Sequence, residues 1–243
     1  MGKRRKQTPG QRMLFTGVTV VGSMLALVGA LQLFGSIGAG AERLPEGAGS
    51  VVMTAEEGAE WVRSTRGVPL HGPRRAAVTV HVFSDIECPV CQRYAGIPEQ
   101  AVDGLGGVAN LAHRHFPLPG FGERAKRQHV AAYCVGETAG EEAYFVFLER
   151  MFDESRGGGR GPSRSLFAIA DLAGADRPSL TACMEDPASV RQVESDVAAG
   201  RAIGVRGTPT TVIVNNRSGA MRGLGGLQDA AALSAAIEAI ATE

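Results

Sequence analysis

The tetrad Cys88-Pro89-Val90-Cys91 follows closely on the apolar run Ala77 to Phe83, where a strand gives way to a helix. Two cysteines with two residues between them at such a turn make a redox-active dithiol rather than a structural staple. The helix leaves its first N–H groups unpaired and directed at Cys88, and its dipole adds partial positive charge there. Both favour thiolate over thiol, and the thiolate is the species that attacks a disulfide. Pro89 suits the first helical turn, where its missing N–H costs nothing. A pair of zinc ligands is the alternative, but no second C-x-x-C is present to complete a four-thiolate site.

Far along the chain, Gly207-Thr208-Pro209-Thr210 precedes the β-branched run Thr211 to Val214, which reads as a buried strand. A proline opening a strand cannot donate to the ladder, so it suits an edge, a bulge or a cis bend. Together, FSDIECPVC and GVRGTPT resemble the thioredoxin superfamily, specifically its DsbA-like thiol:disulfide oxidoreductase branch, over about Val78 to Ala241. The resemblance implies an α/β thioredoxin-like fold with an inserted helical domain. It also implies that Pro209 is cis and that Pro209 and the Thr208 backbone flank Cys88 and Cys91, with Pro89 and Val90 as active-site support. Cys88 would receive the attack of a substrate thiolate, Cys91 would act as the shielded resolving partner, and Thr208 would offer backbone hydrogen bonds to an extended substrate segment. No bound cofactor is implied. The implied partners are reduced exported proteins and a membrane quinone-linked oxidase of the DsbB or vitamin K epoxide reductase type. Two departures from the strongly oxidising pattern are Val90, where a histidine often stands, and Thr208 rather than valine before the proline.

The basic cluster Lys3-Arg4-Arg5-Lys6 with Arg12 precedes 29 uncharged residues, Met13 to Ala41. Met13 to Phe34 would extend roughly 33 Å as a helix, enough to span a bilayer. Residues 1–12 are therefore expected to be cytoplasmic and 13–35 to form a transmembrane signal anchor, with the rest of the chain outside the cytoplasm. Ala39-Gly40-Ala41 resembles a cleavage site, but the apolar stretch exceeds the roughly 7–15 residues of a normal signal core. Residues 36–75 read as a linker and an N-terminal helix, the latter opened by the capping box Thr54-Ala55-Glu56-Glu57 and running through Trp61 to about Arg66. A formal charge of zero with scattered basic residues gives no nucleic-acid footprint.

The remaining chain, 76–243, reads as one domain. A strand at Ala77–Phe83 leads to a helix from Cys88 to about Ala101, kinked at Pro98. A second strand, Gly107–His115, precedes a helical block inserted at about 120–203: Glu123–Gly136, Glu141–Phe152, Ser163–Ala173 with Ser163 as cap, Pro178–Met184 and Ala188–Arg201. Strands Thr210–Val214 and Ala220–Leu224 and a closing helix Gln228–Ala241 follow. The loop Ser155–Gly161 is rich in Gly and Arg, and the Arg-rich stretch Arg156–Arg164 reads as solvated, with a surface for an anionic partner as the lesser alternative.

With Cys88 and Cys91 paired, Cys134 and Cys183 remain. A bridge between them fits an oxidising compartment, and some DsbA-like relatives carry a second structural bridge in this region; two separate buried thiols are the other reading. His113 and His115 alternate on one strand face, which invites a metal reading beside the C-x-x-C, yet the resemblance implies no metal. Asp85 and Glu87, just before Cys88, are expected to oppose its ionisation by repulsion, although acids near a helix start are also ordinary dipole partners. The function implied is extracytoplasmic disulfide formation in exported proteins through Cys88 and Cys91, with oxidase favoured over isomerase or reductase. The alternative from another class is a membrane-anchored zinc-binding or protein-binding module with a non-catalytic C-x-x-C.

Overall fold

The structure, a computed structural model, describes Gly58, Trp61 and residues 67–243. The basic segment, the expected membrane anchor, the linker and most of the helix expected over Thr54 to Arg66 lie outside the described residues; Gly58 and Trp61 themselves are helical. Among the described residues, no helix is long and apolar enough to cross a membrane.

Four strands build the sheet: β1 (Val78–Ser84), β2 (Ala109–His115), β3 (Thr210–Asn215) and β4 (Met221–Gly225), in the order β2-β1-β3-β4. β1 runs parallel to β2, Val82 opposite His113, and antiparallel to β3, Val82 opposite Thr211. Every residue of β1 and β2 is buried, as expected of strands covered on both faces. On one face Val78, Val80, Val82, Leu111 and Ile213 pack under α2 (Ile97–Asp103) and α8 (Ala230–Ala241), which contributes Leu233, Ile237 and Ile240. On the other, Phe83, Val212 and Val214 meet Trp61, Phe116, Ile203 and Val205. Burying each such side chain stabilises by about 1.5–3 kcal/mol.

The helix that follows the tetrad is not a single kinked one. α1 (Pro89–Tyr94) ends at Ala95, Gly96 takes the left-handed conformation (φ 80°), and α2 starts afresh with Pro98 in its first turn. Gly96 forces the break, whereas Pro98 is tolerated because the first-turn N–H has no helical acceptor to lose.

The helical block comprises α3 (Gly122–Ala139), α4 (Glu141–Glu154), α5 (Leu166–Leu172), α6 (Arg177–Glu185) and α7 (Pro187–Ala202). Ser165, not Ser163, caps α5 by accepting from the Ala168 N–H (3.2 Å), while the Ser163 hydroxyl donates to Glu154 (2.8 Å). Asp176 and Asp186 cap α6 and α7. The block has its own core of Val130, Cys134, Tyr144, Phe147, Met151, Ile169 and Leu180. Cys134 and Cys183 are bonded, with Cα atoms 5.7 Å apart, tying α3 to α6.

Block and sheet are joined by a buried ion pair, Arg114 of β2 with Asp196 of α7 at 2.6 Å. The Asp196 carboxylate also accepts from the His115 N–H (3.0 Å). Trp61 closes this seam, its indole N–H donating to the Ala199 carbonyl at 3.1 Å and its ring 4.7 Å from that of His81. One residue of α7 makes the close approach possible. A Cβ on Gly200 would lie 2.7 Å from Phe83 Cε1 and 2.9 Å from Cδ1, and Phe83 is itself packed edge-on against Phe116. Gly200→Ala is expected to destabilise by about 2 kcal/mol through overpacking, despite alanine's better helix propensity, read as a lower denaturant midpoint at unchanged m-value.

Candidate functional site

Cys88 is the N-cap of α1, with Pro89 at its first position. Its N–H donates to the Asp85 carbonyl (3.0 Å) and its own carbonyl accepts from the Gln92 N–H (3.1 Å), which fixes the turn from β1 into the helix. Its sulfur therefore stands at the start of α1, beside unpaired N–H groups. The two sulfurs are not bonded to one another in this structure. Cys88 is 6% and Cys91 1% exposed, so the sulfur expected to receive the attack is itself nearly enclosed, and differs from its shielded partner in degree.

The environment separates the two thiols sharply. The Cys88 pKa is lowered to about 5, chiefly by a hydrogen bond from the Cys91 side chain. The N–H groups of Cys91 and Val90 and the Thr208 side chain assist, against a desolvation penalty. Burial above all pushes the Cys91 thiol far up, and its hydrogen bond to Cys88 adds to this. One sulfur is held as thiolate and the other as the thiol that donates to it.

The distant motif closes the site. The Thr208–Pro209 bond is cis. The Thr208 carbonyl lies 3.7 Å from the Cys88 sulfur, placed to accept from it only when that sulfur is protonated. The Thr208 hydroxyl, buried and without another partner, lowers the pKa of both cysteines. The Pro209 carbonyl accepts from the Gly226 N–H (2.8 Å), which pins the bend to the end of β4. Of the support residues, Pro89 and Val90 lie in the first turn, and half-buried Val90 packs against the core of the helical block.

Beneath the tetrad lies a polar layer that sequence reasoning missed. The Asp85 carboxylate accepts from the N–H groups of Glu87 (2.9 Å) and Leu118 (2.6 Å), and lies 3.5 Å from His129 Nε2. His129 Nδ1 meets His115 Nδ1 at 3.0 Å, and the Tyr144 hydroxyl lies within 3.5 Å of both His113 and His115. Glu87 accepts from the Gln128 side chain at 2.5 Å. The repulsion expected from Asp85 and Glu87 is thus replaced by inward bonding, and hydrogen bonds set the Cys88 sulfur. His113 is held down to about 3 and His115 well below its usual value, each by burial first and then by the neighbouring His129. Both are neutral members of a packed layer, and among the described residues no group of three or more His, Cys, Asp or Glu side chains is placed to hold a metal ion. His129 and Gln128 sit on α3, more than forty residues from the acids they meet; only the one-turn spacing of Gln128 and the other buried residues of α3 hinted at them.

The loop Ser155–Gly161 also departs from expectation. The Gly158 N–H donates to the Glu87 carbonyl (2.8 Å), and the Gln92 side chain donates to the Ser155 carbonyl (2.8 Å). Gly157 (φ 65°) is buried, and a Cβ there would lie 3.2 Å from Pro89 Cγ. The loop backbone is packed on the tetrad, because only glycine permits both the left-handed turn and the approach.

Against known proteins, the Thioredoxin family model matches residues 64–239. Among solved structures, the chain is similar to DsbA2 of Pseudomonas aeruginosa, 31% identical with a TM-score of 0.64, covering 72% of this chain and 94% of that one. A thioredoxin-like oxidoreductase of Silicibacter pomeroyi (23% identical, TM-score 0.62, 76% of this chain and 98% of that one) has the same fold. So has the thiol-disulfide exchange protein alpha-DsbA2 of Wolbachia pipientis (18%, 0.61, 76% and 96%). A curated relative, the Na(+)/H(+) antiporter NhaA of Herminiimonas arsenicoxydans, is 27% identical over 170 residues, which span 70% of this chain but 25% of that protein. The tetrad at the start of α1, the cis proline beside it and a family match over most of the described residues agree: the chain belongs to the thioredoxin family.

Proposed function

We propose that the chain is an extracytoplasmic thiol:disulfide oxidoreductase that forms disulfides in exported proteins, anchored through residues 13–35. The observation that carries this reading is the split between the two sulfurs, a stabilised thiolate at Cys88 hydrogen-bonded by a buried Cys91 thiol. In the oxidised enzyme a substrate thiolate attacks the Cys88 sulfur, and the Cys88–Cys91 bond breaks with its electron pair on Cys91, which takes up a proton. A second substrate thiolate then attacks the first substrate sulfur, the one bonded to Cys88 in the mixed disulfide, and expels Cys88 as thiolate. The substrate has lost two electrons and gained a disulfide; the enzyme holds them as a dithiol. Stabilising the departing Cys88 thiolate drives the second step, which is why a lowered pKa favours oxidase over reductase. The Thr208 carbonyl beside Cys88 offers an acceptor to an extended substrate strand. A membrane quinone-linked oxidase of the DsbB or vitamin K epoxide reductase type would take the electrons on. The Cys134–Cys183 bond supports placement outside the cytoplasm, since such bonds persist in oxidising compartments.

The test is the reduction potential measured against glutathione. The Val90 side chain has no polar atom to add to what its N–H gives the Cys88 sulfur, so the thiolate is less stabilised than with histidine there. A value between about −270 and about −120 mV, the thioredoxin and DsbA ends of the scale, is expected. Val90→His should raise the potential and lower the Cys88 pKa together. A wild-type potential at or below the thioredoxin end would overturn the oxidase reading.

A further inference from the structure

The two segments that flank the Cys88 sulfur are both cationic. On the tetrad side, Ser155–Gly161 carries Arg156 and Arg160, exposed, with Arg124 of α3 joining them. The side chains of Arg156 and Arg160 donate to carbonyls of the loop itself, to Gly161 (3.2 Å) and Gly157 (2.9 Å), and that of Arg124 donates to the Arg160 carbonyl (2.7 Å). Carbonyls satisfy donors without cancelling charge. Glu154, the acid at the foot of the loop, is taken up by Arg164 (3.4 Å) and Ser163 (2.8 Å). On the other side, Arg206 stands exposed two residues before Thr208. Neither the stretch 155–161 nor the stretch 203–209 contains an acid, and Asp85 and Glu87 are fully buried, Asp85 accepting from the Leu118 N–H and one Glu87 oxygen accepting from Gln128.

Both segments border the site: the Gly158 N–H donates to the carbonyl of Glu87, the residue before Cys88, and Arg206 stands two residues before Thr208. At physiological salt, charges act over roughly 8 Å, so residues next to the reacting cysteine come within their field. We propose that this rim selects substrates: the preferred ones are polypeptide segments with aspartate or glutamate beside the cysteine that attacks Cys88. The proposal rests on the exchange activity above and adds its substrate class. The transfer is the one already written, two electrons passing from the substrate dithiol to the Cys88–Cys91 disulfide. The arginines act before it, on encounter and docking, through charge and paired guanidinium–carboxylate hydrogen bonds.

The experiment uses the oxidised full-length protein and three peptides of equal length, each with two reduced cysteines flanked by Glu, Gln or Lys. Each rate is divided by that peptide's rate with a small uncharged disulfide, which removes the effect of the flanking residues on the peptide's own thiol. At low ionic strength kcat/KM should be about tenfold higher for the Glu peptide than for the Gln peptide, and lower still for the Lys peptide, with the spread collapsing in high salt. Arg206→Gln and Arg160→Gln should each reduce the Glu-to-Gln ratio, and Arg160→Lys should keep most of it. A loop disturbed by Arg160→Gln slows all three peptides alike and leaves the ratio intact. Equal wild-type rates on the three peptides overturn the substrate class and leave the oxidoreductase standing. If none of them is oxidised, the exchange activity itself falls.

Discussion

Reduced protein treated with a limiting amount of iodoacetamide at pH 7 is expected to carry the label on Cys88, with Cys91 unlabelled. The preference follows from ionisation more than access, since the two sulfurs differ little in exposure (6% and 1%). With its pKa lowered to about 5, Cys88 is almost wholly thiolate at pH 7, while burial keeps Cys91 protonated. The rate should fall by half near pH 5. The same shift has a stability consequence of definite sign. The folded pKa of Cys88 lies below the unfolded value of about 8.5. The stabilisation of the reduced form is therefore complete above the unfolded value, shrinks as pH falls between the two, and is gone below about 5. Denaturant midpoints of reduced and oxidised protein, compared at pH 8 and pH 5, should shift accordingly. Cys88→Ser should abolish exchange, by a factor of 10³ or more on the order expected for removing a nucleophile. Cys91→Ser should instead accumulate mixed disulfides with substrate, because Cys88 can attack but nothing resolves the product. Preferential labelling of Cys91 would reverse the assignment.

The second large effect concerns the other cysteine pair. Cys134 and Cys183 are 49 residues apart, and opening that loop should cost roughly 4 kcal/mol in the chain-entropy view. For a domain of this size that is a fall in Tm of about 8–16 °C. The double variant Cys134→Ser, Cys183→Ser should show this fall in calorimetry while keeping most of its exchange activity on a small reduced peptide, since the bond ties α3 to α6 and touches neither sulfur of the tetrad. An unchanged Tm would mean that the bridge contributes nothing to the fold.

What could be read in advance, and what could not, divides along physical lines. The tetrad and the Thr208-Pro209 motif were legible because each is a local device: one places a sulfur at a helix start, the other makes a bend before a strand. Every strand and every α-helix after residue 108 was foreseen to within a few residues, because apolar periodicity is written along the segment that uses it; the short 3-10 turn Pro119–Phe121 was not. The failures are places where a distant partner decides. Pro98 looked like the kink because proline is the usual cause, but Gly96 breaks the helix two residues earlier. Asp85 and Glu87 looked repulsive because chain proximity suggested their charges face Cys88; Leu118 and Gln128 draw them inward. The loop at 155–161 looked solvated by composition, and its glycines turned out to be what lets it lie on Pro89.

The reactive sulfurs belong by packing to the helical block, since Ile86, Cys88 and Cys91 share a core with Tyr144, Phe147 and Met151. By connection they belong to the sheet, which ends in them. A lineage can therefore rework the inserted helices, keep the strands and the proline bend as a fixed frame, and still alter the reactivity of the pair from the side. Half-buried Val90, which leans on that same core, is where such a change would first be felt. The insertion is in this sense a tuning body set against a fixed electrode, so that a change in its interior is expected to be felt at the sulfurs.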